Sequence, residues 1–369
     1  MLYTSCMKIG FQGRFLSRPF TGIGQYTSGL LAEFAKQREI SFVIADPGKI
    51  SGAIKRHYFE QYCAPKFFAQ QKVDLIHFPY PGNPWRKMPI PAIVTVHDVI
   101  PWIFPEYRHG FFSSLAHEKA KNALHHAAHV ITVSEFSKKE IERVCGIPEE
   151  KISVIYNGCC EIYSKKADDK VLDRFQLQPR QYFLYVGGYD RRKNVATLVE
   201  AFRQFSSKQK NAVLVLAGEP LHRTSLYDLT FENCRNTMKS GGSNILCTGF
   251  VDEAVLAALY QNAAAFVHLS KYEGFNIPLL EAATSKVPLI LSDIPVHREI
   301  AKNNAVFVDH DDLHSITMAL RKIWNNPPLQ SEFSEKSTNL AKSYSWQKSA
   351  EKHLLLYQQL CQQPSYLLA

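Results

Sequence analysis

Two glutamates eight positions apart are the residues of this chain whose spacing most directly suggests chemistry. Glu273 and Glu281 stand in KYEGFNIPLLEAATSKVPLILSDIP, residues 271–295. The first follows the buried-type apolar run AAFVHLS (264–270), and Pro278 between them suits the first turn of a helix. Such a pair can act as general acid and base, hold a metal, clamp a ligand or lie on the surface.

The residues around the pair favour a ligand clamp. A carboxylate near a helix N-terminus stays ionised and accepts hydrogen bonds. Two ionised carboxylates match the vicinal hydroxyls of a sugar ring or a ribose. An acid–base pair would instead need pKa values pushed apart, and nothing nearby predicts that. A glycoside hydrolase that uses Glu273 and Glu281 stays open as an alternative.

A second motif, YVGGYDRRKNVATLVEAF (185–202), indicates a phosphate site. Gly187 ends an apolar strand, and Arg192 and Lys193 stand just before a helical pattern. Fixed cations, the helix dipole and unpaired N–H groups act together on a diphosphate at such a position. A solvated loop would also tolerate these charges.

The first half contains weaker signals at the ends of apolar runs. In RPFTGIGQYTSGLL (18–31), Gly22 and Gly24 precede a helix, where bare N–H groups suit a phosphate or a sugar hydroxyl. A plain loop explains these glycines as well, and the spacing is not the dinucleotide fingerprint. His97 lies near the end of the predicted strand AIVTVHD (92–98). It is either a titratable group of a functional site or a histidine of the core.

Other polar groups have simpler explanations. Asp309 and Asp311 in VDHDDL fit turn and helix-cap chemistry better than a divalent ion site. His125 and His129 lack the glutamate that a metalloprotease helix carries. Helix capping explains Asp252, and it explains either Ser134 or Ser137 at the start of another helix. The eight cysteines show no C-x-x-C pair and are interpreted as free thiols.

Apolar strands alternate with amphipathic helical patterns along the whole chain, which predicts an α/β protein with buried parallel sheets. The polar segment 164–181 divides this pattern into two doubly wound halves facing one interdomain cleft. The predicted domains are 1–175, 176–345 and a C-terminal segment, 346–369, whose helix returns to the first domain. The predicted strands are 8–13, 40–45, 75–79, 92–98, 129–134, 152–158, 182–188, 212–218, 244–250, 264–270, 287–293 and 305–309.

Size and charge restrict the remaining classes. The chain has 369 residues and a net charge of +9. The first 180 residues carry 24 Lys and Arg against 17 Asp and Glu, and the rest 19 against 17. Basic runs are too short for nucleic acid, whereas the basic first half suits an anionic membrane surface. No run is apolar enough to span a membrane, and the N-terminus does not resemble a signal peptide.

The order and content of these motifs resemble the retaining nucleotide-sugar glycosyltransferases with two facing Rossmann-like domains, the GT-B fold. The glutamate stretch, YVGGYDRRKN, TGFVDEAVLAALYQNAAAFVHLS and SYSWQKSAEKHLLLY carry the resemblance. RPFTGIGQYTSGLL, VHDVIPWIFPE and ITVSEFSKKEI are similar to bacterial mannosyltransferases of lipopolysaccharide O-antigens. Two departures stand out: Lys286 occupies a position that is glycine in many members, and Gly188 one that is arginine in some.

The resemblance implies a role for each motif. Glu273 contacts the donor sugar, Glu281 the ribose, and Arg192 with Lys193 the diphosphate, while His97 lies near the reaction centre. The catalytic residues implied are His97, Glu273, Arg192 and Lys193. The donor-binding residues implied are Gly22, Gly24, Gly187, Arg192, Lys193, Phe250, Val251, Glu273, Gly274, Phe275, Asn276 and Glu281.

We therefore expect a cytoplasmic enzyme at the inner face of the plasma membrane. It is expected to transfer a hexose, with mannose from GDP-mannose as the leading choice, to a lipid-linked or polysaccharide acceptor. No metal or other cofactor is expected, and neither is a nucleic acid partner. Transfer from another donor such as UDP-glucose or UDP-GlcNAc, a glycoside hydrolase and a non-catalytic glycan-binding protein are the alternatives. A nicotinamide oxidoreductase is excluded by the glycine pattern.

Overall fold

The computed structural model describes residues 7–37, 40–48, 52–108, 110–219, 244–324 and 326–362. Two compact units are formed, the first by Met1–Gly158 with Ser345–Ala369 and the second by Cys159–Tyr344. Residues 1–6, on which the signal-peptide prediction depends, and 363–369 of the predicted C-terminal segment lie outside the described residues. No helix in the described ranges is long and apolar enough to cross a membrane.

The first unit contains one parallel sheet in the order β2-β1-β3-β4-β5-β6. Its strands are β1 Met7–Gln12, β2 Ile40–Ala45, β3 Leu75–Phe78, β4 Ala92–Val96, β5 His129–Thr132 and β6 Ile152–Val154. Its helices before the second unit are α1 Gly22–Phe34, α2 Ala53–Tyr58, α3 Ala64–Gln70, α4 Ile100–Ile103, α5 Gly110–Ala123 and α6 Glu135–Cys145, with a π-helical turn Phe59–Cys63 between α2 and α3.

The second unit repeats this architecture in the order β12-β11-β10-β7-β8-β9. Its strands are β7 Tyr182–Val186, β8 Val213–Ala217, β9 Ile245–Gly249, β10 Ala265–His268, β11 Leu289–Ser292 and β12 Val306–Val308. Its helices are α7 Val195–Ser206, α8 Glu253–Asn262, α9 Ile277–Thr284, α10 Pro295–Ala301, α11 Leu313–Trp324 and α12 Pro327–Ala341.

The prediction of two parallel α/β sheets is confirmed, and each of the twelve described strands falls on a predicted run. The central strands β3, β4, β5, β10 and β11 are buried at every position, because helices cover both faces of a doubly wound sheet. The strand order reverses between β1 and β3 and between β7 and β10. Ligands of such sheets bind beyond the carboxyl ends of strands at the reversal.

The boundary between the units lies at Gly158, whereas the composition of the polar segment predicts it at residue 175. The polar segment that looked like a linker folds into short 3₁₀ turns that belong to the second unit. Gln261 Nε2 donates to the Lys165 carbonyl at 2.7 Å, and Asn262 Nδ2 donates to Asp169 Oδ1 at 2.8 Å. Hydrogen bonds to α8 thus order a segment whose composition suggested solvent.

The last helix, α13 Trp346–Gln362, packs in the first unit against α1. A buried chain of hydrogen bonds holds α13 there. The donor and acceptor in each bond can be assigned by starting from the Ser349 carbonyl, at one end of the chain. His353 Nδ1 lies 2.7 Å from the Ser349 carbonyl, which only accepts, so Nδ1 carries the hydrogen. His353 Nε2 therefore accepts from the Tyr26 hydroxyl at 2.7 Å, and Tyr26 accepts from Thr95 at 2.8 Å.

The same logic extends the chain to a second residue of α13. Thr95 Oγ1 accepts from His77 Nε2 at 2.7 Å, which leaves His77 Nδ1 to accept from Tyr357 at 2.6 Å. We call these five side chains, Tyr26, His77, Thr95, His353 and Tyr357, the neutral network. Burial lowers the pKa of His77 well below its usual range and that of His353 to about 4, so both imidazoles are uncharged at neutral pH.

Candidate active site

Glu273 lies at the centre of a buried group of polar side chains at the reversal point of the second sheet. It follows β10, while Arg192 and Lys193 lie in a 3₁₀ turn, Arg191–Lys193, after the neighbouring strand β7. The amide of Lys271 donates to the Arg192 carbonyl at 2.9 Å and joins the two loops. The fold thus brings Glu273 to two adjacent cations, the nearer of which, Lys193, precedes it by 80 positions in the sequence.

Both oxygens of Glu273 are bonded to cations. Arg192 Nη1 lies 2.9 Å from Oε2, and Lys193 Nζ lies 2.6 Å from Oε1. Oε1 also accepts from the Ser270 hydroxyl at 2.7 Å and lies 3.2 Å from His268 Nε2. We call Glu273, Arg192, Lys193, His268 and Ser270 the charged cluster. It joins a carboxylate, which can accept hydrogen bonds from sugar hydroxyls, to two cations, which can bind phosphate.

The protonation state of Glu273 is set by this environment. Burial alone would raise the pKa of the carboxyl, but Arg192 and Lys193 hold it well below its usual range. Glu273 is therefore a carboxylate at any physiological pH and cannot serve as a general acid. In the glycoside hydrolase alternative, Glu281 would therefore have to be the acid and Glu273 the nucleophile or base.

The Ser–His–Glu contacts of the charged cluster do not form a hydrolytic triad. A triad requires the acid and the serine on opposite ring nitrogens of the histidine. Here the Ser270 hydroxyl lies 2.8 Å from His268 Nε2, the same nitrogen that faces Glu273. Nδ1 is buried and has no hydrogen-bond partner among the described residues. His268 supports the carboxylate rather than activating Ser270.

Glu281 lies in the first turns of α9 and belongs to a different environment from Glu273. Its side chain is 2% exposed, and Oε2 accepts from the Tyr260 hydroxyl at 3.0 Å. The Tyr260 ring contacts Tyr163 edge-on at 5.7 Å. Burial and the Glu281 carboxylate both raise the pKa of Tyr163, as expected for a phenol beside a negative charge. The two glutamates of the motif therefore have separate partners.

The other predicted donor residues of the second unit surround the ends of its strands. Gly187 follows β7 with φ +148°, and a Cβ there would lie 3.0 Å from the Tyr185 hydroxyl. Phe250 and Val251 follow β9, and Phe250 is 61% exposed. Gly274, Phe275 and Asn276 are buried between Glu273 and α9.

In the first unit the glycine motif begins α1. Thr21 caps the helix, and its hydroxyl accepts from the Gly24 amide at 3.1 Å. A Cβ at Gly24 would lie 2.0 Å from the Arg18 carbonyl oxygen, so close packing requires glycine here. The Gly24 N–H is already bonded, whereas Gly22 is exposed at the start of the helix. The structure therefore explains Gly24 by packing rather than by a free donor.

His97 lies after β4, at the carboxyl edge of the first sheet. Its Nε2 lies 2.9 Å from the Pro79 carbonyl, so Nε2 carries the hydrogen and Nδ1 is left as an acceptor. The ring packs edge-on against Tyr26 of the neutral network, with centroids 4.7 Å apart. Burial lowers the pKa of His97 to about 4, and the imidazole is neutral at physiological pH.

The residues excluded from chemistry have structural partners. Asp309 accepts from the Asp311 amide at 2.9 Å, and Asp311 pairs with Lys271 at 2.6 Å. His125 bonds the Cys145 carbonyl, and His129 bonds Ser153. Ser134 and Asp252 cap α6 and α8 as predicted. Within the described ranges, no three His, Cys, Asp or Glu side chains are arranged to hold a metal ion.

Lys286 has a backbone conformation that usually favours glycine. Its φ is +60°, and it follows the C-cap Ser285 of α9. The Lys286 amide donates to the Ala283 carbonyl and the Val287 amide to the Ala282 carbonyl. These two bonds define a Schellman motif, in which the left-handed residue is usually glycine. The lysine therefore replaces a helix-terminating glycine rather than adding a ligand group.

Comparison with known proteins identifies the class that this fold and site define. A model described as glycosyl transferases group 1 matches residues 170–340, and one for glycosyltransferase family 4 matches residues 26–159. One match falls mainly in each unit. The chain is a glycosyltransferase whose second half matches the group 1 model and whose first half matches the family 4 model.

Individual proteins similar to this chain carry more specific names than the family models do. O-antigen chain mannosyltransferase B of Escherichia coli is 26% identical over 96% of this chain and 100% of that protein. O-antigen chain mannosyltransferase RfbU of Salmonella typhimurium is 30% identical over 65% of this chain and 63% of its own. The Anabaena protein Alr3699/HepE, solved with UDP-glucose, shares the fold with a TM-score of 0.74 at 16% identity, over 96% of this chain and 100% of that one.

Proposed function

We propose that this glycosyltransferase transfers mannose from GDP-mannose, with retention of anomeric configuration, to a lipid-linked or polysaccharide acceptor of the cell-surface O-antigen. The charged cluster carries the proposal, because one carboxylate bonded to two cations can meet both halves of a sugar diphosphate. The names of the two mannosyltransferase relatives support the choice of mannose and of acceptor. UDP-glucose remains the alternative donor, since the Anabaena protein with the same fold was solved with it.

The leaving group of this reaction is a nucleoside diphosphate, and its developing charge needs stabilisation. Arg192 and Lys193 are held in place before the donor arrives, through Glu273 and through the bond from Arg192 Nη1 to the Tyr272 carbonyl. Preorganised cations lower the barrier because no reorganisation is needed during the reaction. We assign the diphosphate to these two side chains and to the amides near Gly187.

Two carboxylates would position the rest of the donor. Glu273, ionised and close to the cations, would accept from sugar hydroxyls, and Glu281 from the ribose. Phe250 and Val251 would lie beside the base, and Gly274, Phe275 and Asn276 beside the sugar. Tyr260 occupies one acceptor site of the Glu281 carboxylate, which has further sites for ribose hydroxyls. The role of both glutamates is positioning of the substrate.

The first unit would contribute the reaction-centre histidine. Since His97 Nε2 donates to Pro79, its Nδ1 can accept a hydrogen bond from a sugar hydroxyl. A neutral imidazole with a pKa of about 4 is a hydrogen-bond acceptor rather than an acid. We also assign Gly22 to the binding of the donor, because it is exposed at the start of α1. The acceptor proton would pass to the leaving phosphate, and charge neutralisation by Arg192 and Lys193 makes a metal unnecessary in this proposal.

The test is a direct assay of donor and product. The purified protein is titrated with GDP-mannose, UDP-glucose and ADP-glucose by calorimetry, then incubated with each donor and lipid-linked O-antigen acceptor. We expect saturable binding and turnover with GDP-mannose, and an α-linked mannoside by NMR, since GDP-mannose is α-configured. Turnover with UDP-glucose alone would refute the choice of sugar, and an inverted anomer would refute retention. Sugar release without any nucleotide donor would establish the hydrolase.

We further propose that the enzyme works at the inner face of the plasma membrane, docked through the first unit. An exposed aromatic surface supports this: Phe111 is 77% and Phe112 85% exposed at the start of α5. Trp85 connects α5 with α2, because Lys119 Nζ lies 4.4 Å above its ring and His57 packs on it at 4.2 Å. The net positive charge of this half complements anionic lipid.

Vesicle sedimentation tests the docking proposal. We expect the wild type to bind vesicles rich in phosphatidylglycerol at low salt and to dissociate at high salt. The double variant Phe111→Ser, Phe112→Ser should lose most binding, because each ring buries apolar area in the interface. Leu355→Ser is the control, since Leu355 is also an exposed apolar residue of the first unit, 58% exposed on α13, but lies outside the aromatic surface. Wild-type binding by the aromatic double variant would refute the surface.

A further inference from the structure

Asn276 has a backbone conformation that a side-chain bond accounts for. Its φ is +81°, in the left-handed region that L-residues rarely adopt, and it directly precedes α9. The side chain does not cap the helix. Its Nδ2 instead lies 2.9 Å from His297 Nε2, and both residues are buried. A bond from α10 therefore holds the end of the loop 270–276, which contains Glu273.

The direction of this bond is determined by the other nitrogen of the imidazole. His297 Nδ1 lies 3.0 Å from both the carbonyl and the hydroxyl oxygen of Ser292. Because the Ser292 hydroxyl donates its hydrogen to the Ser270 carbonyl, Nδ1 carries the hydrogen and Nε2 must accept. Asn276 therefore presents its amide nitrogen to His297. Its Oδ1 is buried without a hydrogen-bond partner among the described residues. The reversed amide would place two acceptors face to face, which explains why the unpartnered oxygen is tolerated.

The same group of residues also holds the start of the loop. The Ser292 hydroxyl donates to the Ser270 carbonyl at 2.6 Å, and the Ser270 hydroxyl donates to Glu273 at 2.7 Å. Residues 270–276 are thus tied at one end to Ser292 and at the other to His297. Both anchors are fully buried, and the sequence motifs singled out neither.

We propose that His297 is a positioning residue for donor recognition: through Asn276 it fixes the loop 270–276 and so the place where Glu273 meets the donor sugar. This inference rests on the proposed function for the identity of the ligand. The clamp itself, meaning the pair His297 and Asn276, is a property of the second unit alone and can be measured without any ligand.

The variant Asn276→Asp gives the clamp a pH dependence that the wild type lacks. A carboxylate would face the lone pair of Nε2 and repel it, unless the imidazole takes up a second proton and donates. Asn276 and Ser292 contact His297, the His268 ring lies 5.9 Å away, and Glu273 and Lys193 act on it through charge. Burial and the neighbouring His268 lower the pKa of His297 to about 3, and the new carboxylate would raise it.

We expect the affinity of Asn276→Asp for GDP-mannose, measured by calorimetry relative to wild type, to be about tenfold or more weaker at pH 8 and to recover towards pH 6. Binding of GDP, which lacks the sugar, should change much less. Asn276→Gly suits a φ of +81° and is expected to fold; it should lose sugar-dependent affinity equally at every pH. Asn304→Asp makes the same chemical change in the same unit, at a side chain that bonds the Ala301 carbonyl, and should show no pH-dependent recovery.

Wild-type affinity in Asn276→Asp at pH 8, or a loss that does not vary with pH, would overturn the inference. Hydrogen exchange of the amides of residues 273–276 provides the ligand-free measurement. We expect faster exchange relative to the wild type in Asn276→Asp at pH 8 than at pH 6, after correction for intrinsic rates. If the wild type binds no nucleotide sugar but the exchange pattern holds, the proposed function fails and the clamp stands. If nucleotide sugars bind but the exchange does not respond to pH, the clamp fails.

Discussion

Each unit buries a connected group of polar side chains. The group in the first unit is uncharged, whereas the group in the second unit is held by ion pairs. The neutral network of the first unit joins two histidines, two tyrosines and a threonine, without any formal charge. The charged cluster of the second unit joins one carboxylate to two cations. In the first, every proton has a determined direction from Tyr357 to the Ser349 carbonyl. In the second, His268 Nδ1 is left without a partner among the described residues.

The difference indicates what each group is for. A neutral, mutually bonded network specifies one packing arrangement, because any loss of a member leaves a buried polar group unpaired. A buried cluster of charges is weak evidence for stability, since desolvation offsets much of the attraction. Charged groups retained at the reversal point of a sheet are better explained by a ligand of complementary charge. The neutral network thus docks α13, and the charged cluster is the candidate active site.

The largest expected effect is on catalysis and comes from the charged cluster. Lys193→Ala and Glu273→Ala should each lower the transfer rate about 10²–10³-fold, because preorganised charge at the leaving group or donor is lost. Steady-state kinetics with GDP-mannose would measure it, and circular dichroism would verify folding. Lys271→Ala is the control, since Lys271 forms an exposed ion pair with Asp311 nearby. Normal turnover by a folded Lys193→Ala protein would contradict the assignment of this site.

The next largest effect is on stability, and acid should affect the first unit more than the second. Burial lowers the pKa of five histidines in the first unit, His77, His97, His117, His129 and His353, and of two in the second, His268 and His297. A depressed folded pKa gives stability that is complete above the unfolded value of about 6.5 and is lost as pH falls towards the folded pKa. Each such histidine contributes up to about 1.4 kcal/mol per pH unit.

Hydrogen exchange between pH 7.5 and 5 would resolve this pH effect by unit. We expect protection in the strands of the first sheet to fall before that in the second. The carboxylate of Glu273 adds stability to the second unit that is lost only below the ordinary range of a glutamate, because its folded pKa is depressed. Simultaneous loss of protection in both sheets would argue against a difference between the two groups.

A smaller effect should follow from cutting the neutral network at its end. Tyr357→Phe removes the hydroxyl that donates to His77 Nδ1 and leaves a buried acceptor unpaired, which costs about 1–3 kcal/mol of unfolding free energy. Urea denaturation would measure it. Transfer activity per folded molecule should stay unchanged, in contrast to the charged-cluster variants. An unchanged unfolding free energy would indicate that the bond between Tyr357 and His77 does not stabilise the position of α13.

The smallest effect is a stabilising one in the second unit. Lys286→Gly places glycine at the left-handed position of the Schellman motif and should raise the unfolding free energy by about 0.5–1 kcal/mol. Thermal denaturation would measure the gain. Donor affinity should not change, because Lys286 terminates α9 and is not part of the charged cluster. A loss of donor affinity would instead assign Lys286 a direct role in binding.

Much of the candidate site could be predicted from the sequence, but not its connections. Strand-end position and residue type singled out Glu273, Arg192, Lys193 and His97, since each motif is local in the chain. His268, Ser292 and His297 carried no such signal, because a histidine or serine in an apolar run is usually a core residue. Gly24 was selected as a bare donor, whereas its N–H is bonded to Thr21, a side chain three residues before it.

The amino-acid sequence by itself determined the two α/β halves and all twelve described strands, because alternating apolar runs act locally. The class of enzyme followed from the resemblance of its motifs to a known family. Only the tertiary structure decided that the segment after residue 158 belongs to the second unit and that Arg192 and Lys193 bond the same carboxylate. It also decided the proton directions of the neutral network. Hydrogen-bond partners and pKa values depend on which side chains are brought together, and residues 80 or more positions apart meet only when the chain folds.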